Sequence, residues 1–397
     1  MRTTMTELHA IPLSDDLFRG AIELERTDHG VLPHRLPAWA RAQAADPQIS
    51  KAESQPSGVR LAFRTSATVI ELDTSRTTVN LAGFPLRPGG VIQLAIDGTL
   101  LAEDATAHGT EIVIDPTTGA TTTTVGPPQT SLFTGLPGEP KDVEIWLPHN
   151  ETIEARGLRT DAPVEVVASG RRVWLHHGSS ISHGSNATHP LGTWPAVASR
   201  LGGVELINLG FGGSALLDQF TARTIRDTPA DAISLKLGIN LLNTDLMRLR
   251  AFGPAVHGFL DTIRDGHPTT PLLVVSPIFC EIHENTPGPG AFDLEAVARG
   301  GMRFISTGDP AEVAAGKLTL TVIRRELKRI VEERGAQDPN LHHLDGLELY
   351  SETDAATHPL PDALHPDAAT QQMIGERFAR LAFHAGGPLA PENVLAD

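Results

Sequence analysis

Four short segments of this chain concentrate residue types that can exchange protons or stabilise developing charge. Gly178-Ser179-Ser180-Ile181-Ser182 offers hydroxyls just after a glycine that permits a sharp turn. Asn208-Leu209-Gly210-Phe211-Gly212-Gly213 offers backbone N–H groups that glycines leave uncovered. Gly238-Ile239-Asn240 offers a side-chain amide, with Gly238 expected to let the chain pass close to a substrate. Asp362-Ala363-Leu364-His365-Pro366 offers a carboxylate and an imidazole three residues apart. Each has a plainer reading: Ser- and Gly-rich stretches make turns, Asn240 suits a turn, and His365 beside Pro366 suits a helix start. Together they supply a nucleophile, a base, an orienting acid and donors for an oxyanion, which is the full set that acyl transfer needs.

The elements that must position these segments change character along the chain. Residues 1 to about 55 read as irregular, punctuated by Pro33, Pro37 and Pro47. From Val59 to Val167 the pattern is short and period-two, with strand-like runs at Val59–Phe63, Ile92–Ile96, Glu111–Asp115, Val143–Leu147 and Val164–Val167. The Asp97-Gly98 pair signals a hairpin. Several short strands with Gly-, Pro- and Thr-rich turns predict an all-β sandwich, jelly-roll-like, over residues 1–168. Over 169–397 apolar strands at Val173–Leu175, Val204–Leu209, Ala232–Leu237, Leu272–Ser276 and Leu341–Leu344 alternate with helical patterns. One such pattern sets Ile323, Leu327, Ile330 and Val331 on one face, with Arg324, Arg325, Lys328 and Arg329 elsewhere. This alternation predicts an α/β domain with a covered parallel sheet. The four segments follow strand ends, where open α/β sheets bind ligands. Residues 278–310 form a Gly- and Pro-containing stretch long enough to be a candidate lid.

Composition narrows the function classes. Among 397 residues, 48 acids against 32 bases give a formal charge of −16, and there is one tyrosine. Phosphate backbones are held by Lys and Arg and bases by aromatic stacking, so a nucleic-acid partner is not expected. No apolar run is long enough to cross a membrane, and the N-terminal residues lack the apolar core of a signal peptide. A cytoplasmic location is therefore expected, and the sequons at Asn150 and Asn186 read as incidental. The lone Cys280 allows no intrachain disulfide and no thiolate metal cluster.

The four segments resemble the conserved blocks of the SGNH hydrolases, also called GDSL lipases or esterases: Gly-x-Ser, Asn-x-Gly-x-x-Gly, Gly-x-Asn and Asp-x-x-His-Pro. The likeness spans about 171–385. It implies a flavodoxin-like three-layer α/β/α fold and chemistry without metal or cofactor. Carried over by position, it implies Ser180 as nucleophile, His365 as general base and Asp362 as its orienting acid. The implied oxyanion donors are the backbone N–H of Ser180, that of Gly213 and the side-chain amide of Asn240. Most members carry Asp where this chain has Ser179. With its β-rich first half, the chain resembles an actinobacterial subgroup that includes the salicylyl acyltransferase of tetracycline-type biosynthesis. That resemblance implies a small-molecule ester or acyl-thioester substrate, with either water or an alcohol as acceptor, and the β domain is expected to contribute to the substrate cleft. The competing reading is a carbohydrate-binding or catalytically inactive protein of the same fold.

Other residues invite assignments. His176, His177 and His183 flank the serine segment, but adjacent strand residues face opposite ways and no carboxylate lies among them, so metal binding is not expected. Ser214 is an alternative nucleophile. Lys236 reads as an edge or paired lysine, and Cys280 as a buried thiol.

Overall fold

The computed structural model describes residues 7–44, 46–86 and 88–391. Residues 1–6, at the start of the segment read as irregular, and 392–397, at the end of the α/β half, lie outside the described residues. The chain divides into two compact units. One comprises Met1–Arg35, Glu53–Gly170 and Thr188–Leu191, the other Leu36–Ala52, Arg171–Ala187 and Gly192–Asp397. Residues 36–52 thus belong with the α/β half and not with the strands that flank them in sequence.

The first unit is built of two sheets. One runs in the order Thr121–Thr124, Thr110–Ile114, Val69–Leu81, Thr152–Thr160, Val31–His34 and Glu23–Arg26, with His9–Ile11 and Gln129–Thr134 pairing off this path. The other runs Val164–Glu165, Arg60–Thr65, Lys141–Trp146, Val91–Ile96 and Thr99–Ala105, with Phe18–Arg19 added to Arg60–Thr65. Period-two alternation sends Leu61, Phe63, Leu94 and Ile145 of one sheet into the same buried cluster as Ile70, Leu72, Ile153 and Leu158 of the other. At Asp97-Gly98 both residues take positive φ, 48° and 77°, as a tight hairpin turn requires.

Among the described residues, the stretch from 7 to 55 is not irregular. It contains short strands at His9–Ile11, Phe18–Arg19, Glu23–Arg26 and Val31–His34 and helices at Ala38–Gln43 and Pro47–Ser54. Strands of two to four residues are too short to reveal alternation, and most of these pair with partners distant in sequence.

In the second unit five parallel strands form one sheet: β1 Val173–Gly178, β2 Glu205–Gly210, β3 Ala232–Lys236, β4 Leu272–Val275 and β5 Leu341–Leu344. Their order is β2-β1-β3-β4-β5, the flavodoxin-like arrangement, whose direction of winding reverses beside β1. Strands β3 and β4 are buried at every residue, so helices cover both faces. Helix Trp194–Leu201 packs against Ala368–Ala382, and helix Leu249–Gly266 packs against Gln219–Asp227 and Leu320–Gly335. Trp174 on β1 stacks on Phe378 at 5.1 Å, and Trp194 meets the same ring at 5.0 Å. This aromatic cluster ties the strand that ends at the serine segment to the helix that follows His365. Among the described residues no helix is long and apolar enough to cross a membrane.

Candidate active site

Ser180 opens a four-residue helical turn, Ser180–His183, directly beyond β1. Ser179 is its N-cap: the hydroxyl accepts from the Ile181 N–H. Ser179, where the resemblance leads one to expect Asp, therefore satisfies one backbone donor of the turn and brings no charge to it. Behind the turn, the ring of buried His176 bridges Ser234 Oγ at 2.7 Å and Ser182 Oγ at 2.8 Å. His177 Nδ1 bonds the Leu209 carbonyl oxygen at 2.7 Å. Both histidines thus bind groups of the sheet and the turn. Burial, with the neighbouring His177 adding to it, holds His176 well below the usual imidazole range, so its ring stays neutral.

Ser180 Oγ lies 2.9 Å from His365 Nε2, and His365 Nδ1 lies 2.8 Å from Asp362 Oδ2. The three residues come from the turn beyond β1 and from the loop before helix Ala368–Ala382, 185 positions apart in sequence for the serine and histidine. The loop is shaped by the carboxylate itself: Asp362 Oδ1 accepts from the Leu364 N–H at 3.0 Å and the His365 N–H at 2.7 Å. Burial pushes the Asp362 carboxyl up, but the His365 imidazole and these N–H groups outweigh it and hold it at about 2. The helix itself begins only at Ala368, capped by Asp367, so His365 is free of the helix start.

The second segment lies over the first. A Cβ on Gly212 would stand 3.8 Å from Ser180 Cβ. The Gly212 N–H donates to His183 Nδ1 at 3.2 Å, and Asn208 Nδ2 donates to the Ser182 carbonyl oxygen at 2.9 Å. Gly213 has φ +76°, a value that a side chain would strain. In the third segment Asn240 is buried, and its Oδ1 accepts from the Ala215 N–H at 3.1 Å. That bond identifies the oxygen and leaves the NH2 as the side chain's remaining hydrogen-bonding group. Gly238 has φ +123°, and a Cβ there would meet Ile323 Cγ2 at 2.7 Å and Pro277 Cγ at 3.0 Å. Packing against helix Leu320–Gly335 thus requires a glycine here.

Ser214 differs from Ser180 in its surroundings. Its Oγ is buried and has no hydrogen-bond partner among the described residues. Lys236 is on β3, the central strand of the sheet, so it is not an edge lysine. It is buried, and burial together with the Arg324 guanidinium pulls its ammonium down to about 8. Arg324 faces inward too, donating to the Pro277 carbonyl oxygen and twice to the Glu284 carboxylate. Cys280 is a buried thiol whose Sγ reaches the Ala363 carbonyl oxygen at 3.4 Å, and burial, with Glu284 adding to it, raises it to about 12.

The 278–310 stretch contains a small hairpin, Gly290–Phe292 with Phe304–Ser306, and a short helix, Leu294–Ala298. It is fastened to the acid–base loop: the Phe304 N–H donates to the Asp362 carbonyl oxygen at 2.8 Å, and its ring meets His365 edge-on at 5.3 Å. Two further neighbours of the site carry no local signature in the sequence. Asn186, seen only as a sequon, donates to Asp362 Oδ2 at 3.2 Å. Gln48, in the stretch read as irregular, donates to the Gly212 carbonyl oxygen at 2.7 Å.

Residues 172–284 match the GDSL-like Lipase/Acylhydrolase family. Among solved structures, the salicylyl-acyltransferase SsfX3 from a tetracycline biosynthetic pathway is similar with a TM-score of 0.77 at 25% identity, over 94% of this chain and 96% of that one. A family two carbohydrate esterase from Clostridium thermocellum, in complex with cellohexaose, shares the fold with a TM-score of 0.54 at 13% identity, over 89% and 96%. An acetyl xylan esterase from the rumen bacterium Butyrivibrio proteoclasticus does so with a TM-score of 0.52 at 12% identity, over 94% and 96%. Comparison with curated protein sequences finds no match.

Proposed function

We propose that this chain, whose α/β unit belongs to the SGNH/GDSL superfamily, carries out acyl-ester chemistry through an acyl-Ser180 intermediate. The observation that supports this best is the unbroken hydrogen-bonded line from Ser180 Oγ through the His365 ring to Asp362 Oδ2. Ser180 Oγ attacks the acyl carbonyl carbon while its proton passes to His365 Nε2. The carbonyl oxygen becomes an anion, received by the N–H groups of Ser180 and Gly213 and the Asn240 amide. Collapse of the adduct breaks the bond to the leaving alcohol or thiol, which takes the proton from His365. Water or an acceptor alcohol then attacks the acyl carbon while His365 takes its proton; the bond to Ser180 Oγ breaks, and His365 returns the proton to that oxygen.

The substrate class we infer is a small-molecule ester or acyl thioester. The 25% identity to an acyltransferase, across nearly the whole of both chains, supports acyl transfer over simple hydrolysis, and we infer an alcohol as the acceptor. The two-sheet first unit is read as a β-sandwich of the jelly-roll kind. A fluorophosphonate probe tests the core of the reading, because it reacts only with an activated serine. Labelling is expected in the wild type and in Ser214→Ala, and is expected to vanish in Ser180→Ala. Labelling that survives Ser180→Ala but not Ser214→Ala would overturn the assignment.

A further inference from the structure

Resting on that reading, we propose that Gln48 is a positioning residue for the oxyanion donor at Gly213. Its side-chain amide holds the Gly212–Gly213 peptide in the one rotation that presents the Gly213 N–H to the reacting carbonyl.

The segment Phe211–Ser214 is a turn, closed by the Ser214 N–H donating to the Phe211 carbonyl oxygen at 3.1 Å. Gly213 occupies its third position with φ +76°, the value of a type II turn. Type I and type II turns differ by rotation of the central peptide through about half a circle, and a glycine at the third position sterically permits both. The central peptide here joins Gly212 to Gly213. It is planar and trans, so the Gly212 carbonyl and the Gly213 N–H point in opposite directions. In one rotation a donor faces the developing oxyanion. In the other a carbonyl oxygen would face it and repel it.

Gln48 discriminates between the two. Its Nε2 donates to the Gly212 carbonyl oxygen at 2.7 Å, a bond that exists in only one rotation. The bond also withdraws charge from the peptide and so strengthens the N–H on its far side. The Gln48 side chain lies across Gly213, since a Cβ there would stand 3.2 Å from Gln48 Cγ and 3.3 Å from Nε2. Gln48 is itself seated by its own segment. Its backbone N–H donates to Asp46 Oδ1 at 2.9 Å, Ala40 and Ile49 are buried, and Arg223 stacks over the Trp39 ring at 4.3 Å. Segment 36–52 and the Gly212–Gly213 turn belong to the same compact unit. Because the Gln48 side chain is exposed, replacing it removes a hydrogen bond and little packing.

The test uses the full-length chain and the fluorophosphonate probe, whose phosphoryl oxygen must enter the same donor set. The maximal labelling rate and the probe concentration for half-maximal rate are measured separately. Gln48→Met, similar in length but without a donor, is expected to slow the maximal rate roughly tenfold with the half-maximal concentration unchanged. Gln48→Glu is expected to be slower still, because a carboxylate faces the Gly212 carbonyl. Gln48→Lys, which retains a donor of similar reach, is expected to stay within about threefold of wild type, and all three to unfold within about 2 °C of it. Wild-type rates in the Met and Glu variants overturn the proposal, as does a change confined to the half-maximal concentration or a Lys variant as slow as Met. If the wild type itself is not labelled, the functional reading falls and takes this inference with it. If Ser180 is labelled at a rate indifferent to Gln48, only this inference falls.

Discussion

Asn186 and His365 donate to the same oxygen of Asp362, Oδ2, at 3.2 and 2.8 Å. Asn186 therefore fixes the carboxylate from the side opposite its backbone bonds. Asn186 has φ +64°, so alanine there would strain the backbone as well as remove the amide. Asn186→Gly isolates the amide's contribution. It is expected to lower kcat about three- to tenfold with KM and the thermal midpoint nearly unchanged, since one of two side-chain partners of Oδ2 is lost. Steady-state kinetics on a chromogenic ester would check this, and a wild-type kcat would remove Asn186 from the machinery.

The proposed role of Asn240 makes a larger effect. Its amide is held by the Ala215 N–H, so the donor is fixed before the oxyanion forms. Asn240→Ala is expected to lower kcat by about 10²–10³-fold with little change in KM. Asn243, at the far end of the Ile239–Asn243 turn, has the same chemistry, and Asn243→Ala is expected to leave the chemical step nearly untouched. An effect on KM alone at Asn240 would assign it to ground-state binding.

The pH behaviour of Asp362 has a definite sign. Its folded pKa of about 2 is below the usual carboxylate value, so its contribution to stability is present above pH ~4 and is lost as the pH falls through about 2. The shift corresponds to on the order of 2 kcal/mol. Asp362→Asn is expected to be less stable than wild type at pH 7, with the difference shrinking at pH 2–3. Turnover is expected to fall by about 10²–10⁴-fold, because the imidazole loses its orienting carboxylate. Denaturant unfolding at several pH values would reveal a constant difference if this is wrong.

Lys236 behaves in the opposite sense. Its folded pKa of about 8 is below the unfolded value of about 10.5, so the ammonium is penalised in the folded state. The penalty is complete below pH ~8 and is relieved as the pH climbs towards the unfolded value. Lys236→Met is therefore expected to stabilise the protein by up to about 3 kcal/mol at pH 7, with the gain fading near pH 10. Thermal midpoints for the two proteins at pH 7 and pH 10 would show it. An equal gain at both values would mean that packing, and not charge, is responsible.

Legibility in the sequence followed the range of the interactions. The α/β strands could be read because a sheet buried on both faces needs short continuous apolar runs, such as Leu272–Val275. The 13-residue strand Val69–Leu81 escaped because polar residues from Asp73 to Thr78 interrupt its apolar pattern, although it pairs with Thr152–Thr160 along eight registered residue pairs. The serine, amide and acid–base segments carried recognisable chemistry in local order. Gln48 and Asn186 did not, since each acts through one bond to a residue more than 160 positions away and neither has a local signature.

Asp362 and His365, the proposed acid and base, share a single four-residue loop, and Asp362 Oδ1 accepts from two of its N–H groups, those of Leu364 and His365. Their mutual geometry is thus inherited from local backbone and survives any rigid displacement of the loop. What such a displacement would alter is the gap to Ser180, now 2.9 Å, together with the bonds from Asn186, Phe304 and Cys280 that hold the loop in place. The pair is a locally self-shaped unit, and its outer bonds set where it stands relative to the serine. The spacing to Ser180 could therefore be adjusted, by evolution or by design, through those outer bonds while the local geometry of Asp362 and His365 is left intact.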